Sequence, residues 1–199
     1  MHYPPKPDPL RRRLILLQSF TLVWMLAECA VALWAAARAH SPALLAFGFD
    51  SLVELLSALL VVLALAPHLN RKRIDFAAGL LLFALAAVVV LSSGLALAGR
   101  FEARASPLGI FITAAALCVM PLLAWQKRKL ARRTANHALA ADAVQSAACA
   151  YLALVALAGL ALNAAFHLAS ADAIAALAAT PFLILEGRRA VRGQSCGCC

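Results

Sequence analysis

The chain has 199 residues, of which 64% are hydrophobic and only 14% are charged, and its mean hydropathy is +0.87. Soluble domains are about 45–50% apolar and about 25% charged, so this composition excludes an ordinary soluble domain and also a disordered chain. The 18 Lys and Arg against 9 Asp and Glu give a net charge of +9. In so apolar a chain we attribute that excess to membrane loops and not to a nucleic-acid partner. The composition predicts an integral membrane protein in contact with the lipid bilayer.

Six apolar segments predict an all-α membrane protein with six transmembrane helices. A spanning helix needs roughly 20 apolar residues; five segments reach that length, and the sixth is shorter. The connections are short and polar, Gln126–Lys129 among them. We expect an N-terminal arm over residues 1–13, a membrane domain over residues 14–190 and a cysteine-rich tail over residues 191–199. The segments run Leu14–Ala37, Ala43–Ala66, Phe76–Ala98, Pro107–Trp125, Ala138–Leu162 and Asp172–Leu185.

Lys and Arg are distributed unequally between the two sides of the expected six-helix chain. Fifteen lie in the tails and in the loops after the second and fourth segments, whereas only Arg38, Arg100 and Arg104 lie in the other loops. Loops rich in Lys and Arg remain in the cytoplasm. We therefore expect both termini to be cytoplasmic and the membrane to be the plasma or inner membrane.

Four of the nine acidic residues fall inside apolar segments: Glu28, Asp50, Glu54 and Asp142. A charged acid at the bilayer centre costs about 2.5–3.5 kcal/mol on insertion scales, so each is a candidate functional residue. Asp50 and Glu54 are four residues apart and share one helix face. Two adjacent carboxylates repel each other unless one is protonated or a cation lies between them. The pair therefore predicts a cation site. Asp172 opens the sixth segment, where a helix N-terminus suits an acid.

The fifth segment carries further metal-binding groups on one face. Asp142, Gln145 and Cys149 are spaced at i, i+3 and i+7. Taken singly, the acid can be neutral and bonded to a neighbouring helix, the amide can link helices and the thiol can fill apolar space. Two interpretations of Glu28 stay open: it lines the same cavity, or it pairs with Arg38.

Two sequence motifs resemble the cation diffusion facilitator family of transporters. The run SPALLAFGFDSLVE, from Ser41 to Glu54, is similar to the second helix of that family, which supplies half of an intramembrane metal site. The run LAADAVQSAAC, from Leu139 to Cys149, is similar to its fifth helix, which supplies the other half. The resemblance covers residues 14–190. It implies a secondary transporter that exports a divalent metal cation from the cytoplasm in exchange for protons.

The resemblance implies a metal site of Asp50, Glu54, Gln145 and Cys149, with Asp142 as an auxiliary acid near the cytoplasmic entrance. The chain departs from the family at Gln145 and Cys149, where His and Asp would be expected, and at Glu54, where Asp would be. We expect the chain to lack the cytoplasmic domain that follows the sixth helix in that family. The family usually dimerises, so a homodimer is an expectation. No prosthetic group is implied, and the thiol favours zinc as the cargo, with cadmium, iron(II) or cobalt as alternatives.

The last residues contain three closely spaced cysteines, Cys196, Cys198 and Cys199. On the reducing cytoplasmic side a disulfide is not expected. The thiols either bind a soft metal and pass it to the membrane site, or they are incidental in a solvated tail.

Two rival classes of function stay open. One is a membrane protein that binds or senses metal without transporting it. The other is an enzyme, an intramembrane aspartyl protease with Asp50 and Asp142 as its acid pair, because two acids sharing a proton supply that chemistry. The Gly-x-Gly-Asp pattern of such proteases is only approached by the run FGFD that ends at Asp50. We expect no enzymatic activity.

Overall fold

The fold comes from a computed structural model that describes residues 9–63, 71–100, 102–134 and 137–192. All regular structure in these ranges is α-helical, and each helix overlaps one of the predicted apolar segments. The all-helical prediction is therefore confirmed. The N-terminal eight residues, the connection over residues 64–70 and the predicted metal-binding cysteines Cys196, Cys198 and Cys199 lie outside the described residues. The helices are α1 Pro9–Ala39, α2 Pro42–Leu63, α3 Arg71–Leu97, α4 Pro107–Thr134, α5 His137–Phe166 and α6 Ala169–Val191.

Five of these helices, α1, α3, α4, α5 and α6, are long and apolar enough to cross a membrane. In α2 the apolar stretch among the described residues is shorter, Pro42–Leu52. The whole of α2 has 22 residues, roughly 33 Å at 1.5 Å per residue, against a hydrocarbon core of about 30 Å. The chain therefore has the helix lengths of a multi-pass membrane protein.

The surface of the helical bundle is apolar. Val23, Phe111 and Phe166 are exposed by 69%, 67% and 66%, whereas Glu28 and Asp50 are buried. In water such large exposed apolar side chains would form an unfavourable surface. This distribution is compatible with contact between the helices and lipid tails.

The helices extend beyond the apolar segments that predict them, as the ends of α1 and α4 show. α1 begins at Pro9, inside the arm predicted to reach residue 13, and proline is favoured in the first turn of a helix. α4 continues through Gln126–Lys129 to Thr134, so the prediction of a connection at residues 126–129 is wrong. Gln, Lys and Arg are good helix formers, and a helix does not have to end where its apolar run ends.

Four helices enclose the centre of the bundle. α1 packs on α2 and α4, and α5 packs on α4 and α2, which closes a ring. α3 packs chiefly on α6, which in turn contacts α5 and α2. The main apolar core includes Met25, Phe47, Met120 and Leu152, one from each helix of the ring. The inner faces of α1, α2, α4 and α5 therefore meet.

Glycines allow α6 to approach its neighbours closely. A Cβ atom on Gly79 of α3 would lie 2.6 Å from Val191 Cγ2 and 2.8 Å from the carbonyl oxygen of Gly187 in α6. A Cβ atom on Gly159 of α5 would lie 2.5 Å from Ala175 Cβ. Small residues at such positions let membrane helices pack backbone to backbone. These contacts fix α6 between α3 and α5.

Candidate functional site

The acids Asp50 and Glu54 lie in the centre of the four-helix ring. Their spacing of four residues places both on the inner face of α2, and each is only 1% exposed. Neither carboxylate oxygen of Asp50 has a hydrogen-bond partner among the described residues, and neither does Glu54 Oε2. An ionised carboxylate buried without a partner is strongly unfavourable. This pair therefore requires a proton or a cation.

A first polar layer surrounds Glu28 of α1. Its Oε1 accepts hydrogen bonds from the Ser51 hydroxyl at 2.7 Å and from the Cys149 thiol at 3.3 Å. Its Oε2 accepts a hydrogen bond from the Trp24 indole at 2.7 Å. Because Ser51 belongs to α2 and Cys149 to α5, Glu28 ties three helices of the ring together.

A second polar layer is centred on the fully buried Lys127 of α4. Its ammonium lies 2.9 Å from Asp142 Oδ2 and donates a hydrogen bond to the Ser146 hydroxyl at 2.9 Å. The Gln18 amide of α1 donates to the same Asp142 oxygen at 3.0 Å. Ser146 Oγ lies 3.5 Å from Glu54 Oε1. The serine hydroxyl thus connects the ion pair to the acids of α2.

The charges of the two layers act on one another. Glu54 lies close enough to Lys127 and to the three acids of the ring for their charges to interact. These acids are Asp50, Asp142 and Glu28. Charges interact more strongly in a buried environment than in water. Four carboxyl groups and one ammonium therefore form a region that can take up further positive charge, either as protons or as a metal cation.

The described residues contain no group of three or more His, Cys, Asp and Glu side chains that could hold a metal ion as they stand. The acids converge on one region, yet Glu28 and Asp142 are engaged by protein donors. A divalent ion at Asp50 and Glu54 would therefore need a rearrangement of these side chains.

The structure brings four of the five predicted ligands into this region and leaves one out. Gln145 is half-buried and has no hydrogen bond to the cluster in the part of the chain that the structure describes. The neighbouring Ser146 faces inward in its place, because successive residues of a helix point about 100° apart. The four that converge are Asp50, Glu54, Asp142 and Cys149.

Of the two interpretations of Glu28, the structure favours a place beside the acids of the ring over a pairing with Arg38. Its carboxylate is bonded within the ring, while the Arg38 guanidinium lies 5.6 Å from the centre of the Trp34 ring of its own helix. Glu28 is therefore part of the acid cluster of the ring.

Lys127 is the charged residue of the site that the sequence analysis does not single out. The apolar run of the fourth segment ends at Trp125, so hydropathy predicts that Lys127 is a loop cation. The buried positions of α4 nevertheless continue through Met120, Leu123, Lys127 and Leu130. This spacing of three and four residues is the signal of one helix face, and it was readable in the sequence.

Asp172 occupies the first turn of α6, as predicted, but its carboxylate serves another helix. It accepts hydrogen bonds from the Ser41 hydroxyl at 2.6 Å and from the backbone N–H of Ala43 at 3.3 Å. These groups lie at the start of α2, so the acid caps the α2 N-terminus, an arrangement that stabilises helix ends. Asp172 and Asp50 are both buried. Asp172 has hydrogen-bond partners, whereas Asp50 has none among the described residues.

A separate cavity of about 580 Å³ lies at the opposite end of the bundle from Lys127. Its lining includes His40, Glu102, Arg104, Asn163 and His167 and none of the acids of the ring.

No family model matches the chain, and no curated protein matches it.

Proposed function

We propose that this chain is a secondary transporter that exports a divalent transition-metal cation, with zinc as the favoured cargo. The observation that carries the proposal is the buried Asp50 carboxylate, which has no hydrogen-bond partner among the described residues, next to Glu54, of which one oxygen likewise has none. Intramembrane acids that face a protein interior mark ion pathways. The resemblance of both motifs to the cation diffusion facilitator family supports the same function.

The groups near this pair favour a metal ion of intermediate hardness, which accepts both oxygen and sulfur ligands. Two carboxylates and the thiol of Cys149 provide oxygen and sulfur ligands, and Zn²⁺ accepts both in a four-coordinate site. Sulfur disfavours magnesium and calcium and leaves cadmium, iron(II) and cobalt as further cargoes. Water or the Ser51 hydroxyl would complete the coordination, because Gln145 is half-buried and has no hydrogen bond to the cluster among the described residues.

The coupling that we propose is an exchange of metal for protons. Asp50, Glu54 and Cys149 must lose their protons when they bind a metal, so the two cargoes compete for the same atoms. Metal would load from the cytoplasmic side, the side that the Lys and Arg distribution assigns to both termini. Protons arriving from outside would then release it after the helices have moved.

The arrangement of the acids also bears on the rival classes. A protease would need Asp50 and Asp142 to share a proton, but Asp142 is bonded to Lys127 and Gln18. A protein that binds or senses metal without moving it remains the second candidate, because the same acids would serve it.

The test is zinc flux into proteoliposomes, with an internal pH dye to follow protons. Replacing a residue that only hydrogen-bonds to a metal ligand already lowers metal affinity about 10–100-fold. Asp50→Asn and Glu54→Gln change the ligands themselves, so each should lower the flux by at least about tenfold. Glu102→Gln, which neutralises an exposed loop acid, is the matched control and should transport like the unsubstituted chain.

Two results would count against this function. Undiminished flux in Asp50→Asn and Glu54→Gln would exclude these acids as the cation site. Zinc binding without any flux in the unsubstituted chain would favour the metal-binding or sensor alternative.

A further inference from the structure

Lys127 is a buried cation that the proposed transport does not explain. Its side chain is 0% exposed, and its ammonium is held by Asp142 and Ser146 at 2.9 Å each. Replacing a buried ion pair with apolar residues is often neutral or stabilising, so stability alone gives no reason for a lysine here.

The lysine lies between the acids of α2 and one end of the bundle. Helices joined by short loops are antiparallel, so α4 ends where α5 begins. Lys127 lies near the end of α4 and Asp142 near the start of α5. Asp142 precedes Cys149 by seven residues, roughly 10 Å along the helix. With its side chain 17% exposed, Asp142 is the least buried acid of the cluster, and it lies near this end.

We propose that the Lys127 ammonium is a tethered cation that holds the entrance position of the site and sets its preference for divalent ions. An ion entering from this end displaces the ammonium from Asp142 and Ser146 before it reaches Glu54 and Asp50. The four-carbon stem of a lysine lets the displaced ammonium extend toward the end of α4 and into the interface. This inference rests on the proposed function.

The preference follows from charge. A monovalent ion has the same charge as the ammonium, which its own chain keeps at a high effective concentration. Replacing the ammonium with a monovalent ion therefore brings no gain in electrostatic energy. A divalent ion brings twice the charge into a cluster of four acids, so only this exchange is favourable.

The experiment compares zinc binding in detergent by isothermal titration calorimetry, at fixed pH with excess KCl, for the unsubstituted chain, Lys127→Met and Lys129→Met. Lys129 is the matched control: it is also on α4, but it is exposed, with its ammonium 4.9 Å from the centre of the Trp125 ring. In the unsubstituted chain the ammonium occupies the entrance in most molecules, so only a small fraction is free to bind zinc. The apparent Kd equals the intrinsic Kd divided by that fraction. Lys127→Met should therefore bind zinc about tenfold more tightly or better, and KCl should now compete, while Lys129→Met is unchanged.

Equal or weaker zinc binding by Lys127→Met, with normal binding by the unsubstituted chain, would overturn this inference and leave the proposed function standing. No zinc binding in any of the three chains would refute the proposed function, and this inference with it.

Because the loss of one partner of a buried ion pair can prevent folding, a second measurement uses the unsubstituted chain. Lysines are acylated with and without zinc, and the modification is quantified by peptide mass spectrometry. We expect zinc to raise the labelling of Lys127 relative to Lys129 by severalfold as the ammonium moves out. An unchanged ratio at saturating zinc would contradict the displacement.

Discussion

The buried acids of this chain are of two kinds, which differ in their hydrogen bonds. Asp172 accepts hydrogen bonds from Ser41 and Ala43 and joins α6 to α2. Asp50 is as deeply buried, but both its carboxylate oxygens lack hydrogen-bond partners among the described residues. A partnered acid stabilises a fold, whereas an unpartnered one is tolerated where function requires it.

This contrast predicts that replacing Asp with Asn affects thermal stability differently at the two positions. Asp172→Asn leaves one acceptor oxygen for two donors, the Ser41 hydroxyl and the Ala43 N–H, and should destabilise the chain by about 1–3 kcal/mol, the range for an unsatisfied buried group. Asp50→Asn removes a buried charge without breaking a hydrogen bond and should leave the unfolding temperature equal or higher. Thermal unfolding in detergent measures both. A comparable destabilisation by Asp50→Asn would mean that Asp50 has a structural partner.

At the scale of helices, the length of α4 determines the composition of the site. Hydropathy predicts an end at Trp125, but the helix continues to Thr134 and carries Lys127 inward. Apolar periodicity locates the middle of a membrane helix well. It fails at the ends, because polar residues with high helix propensity extend the helix without extending the apolar run.

The contact between α3 and α6 gives a prediction at this scale. Gly79→Ala places a methyl group within 2.8 Å of the α6 backbone, and such overpacking typically costs about 1–3 kcal/mol. Gly94→Ala is the control in the same helix, since its Cβ would meet nothing within 4 Å and alanine is the better helix former. We expect a lower unfolding temperature for Gly79→Ala alone. Equal temperatures for the two variants would show that α3 and α6 are not closely packed at this point.

At the scale of the molecule, the chain is a bundle with an apolar exterior and a charged interior. The composition predicted this general character, because long apolar runs with few charges are typical of membrane helices. The sequence also singles out Asp50 and Glu54, because their spacing of four residues can be recognised without knowledge of the other helices.

The partners of the acids could not be predicted in the same way. The bond from Gln18 to Asp142 and that from Ser41 to Asp172 each join residues more than 120 positions apart, and no local pattern encodes them. The choice of Ser146 over Gln145 depends on the rotation of α5 about its axis, which is set by packing against α2 and α4. Hydropathy alone does not fix that rotation.

The central claim is that a divalent cation binds at the unpartnered acids of α2. The measurement that tests it most directly is an anomalous difference map at the zinc edge, from crystals of the unsubstituted chain grown with zinc. We predict a peak about 2.0–2.2 Å from carboxylate oxygens of Asp50 and Glu54. A peak confined to the opposite cavity, at His40 and His167, with none at the acids would contradict the account.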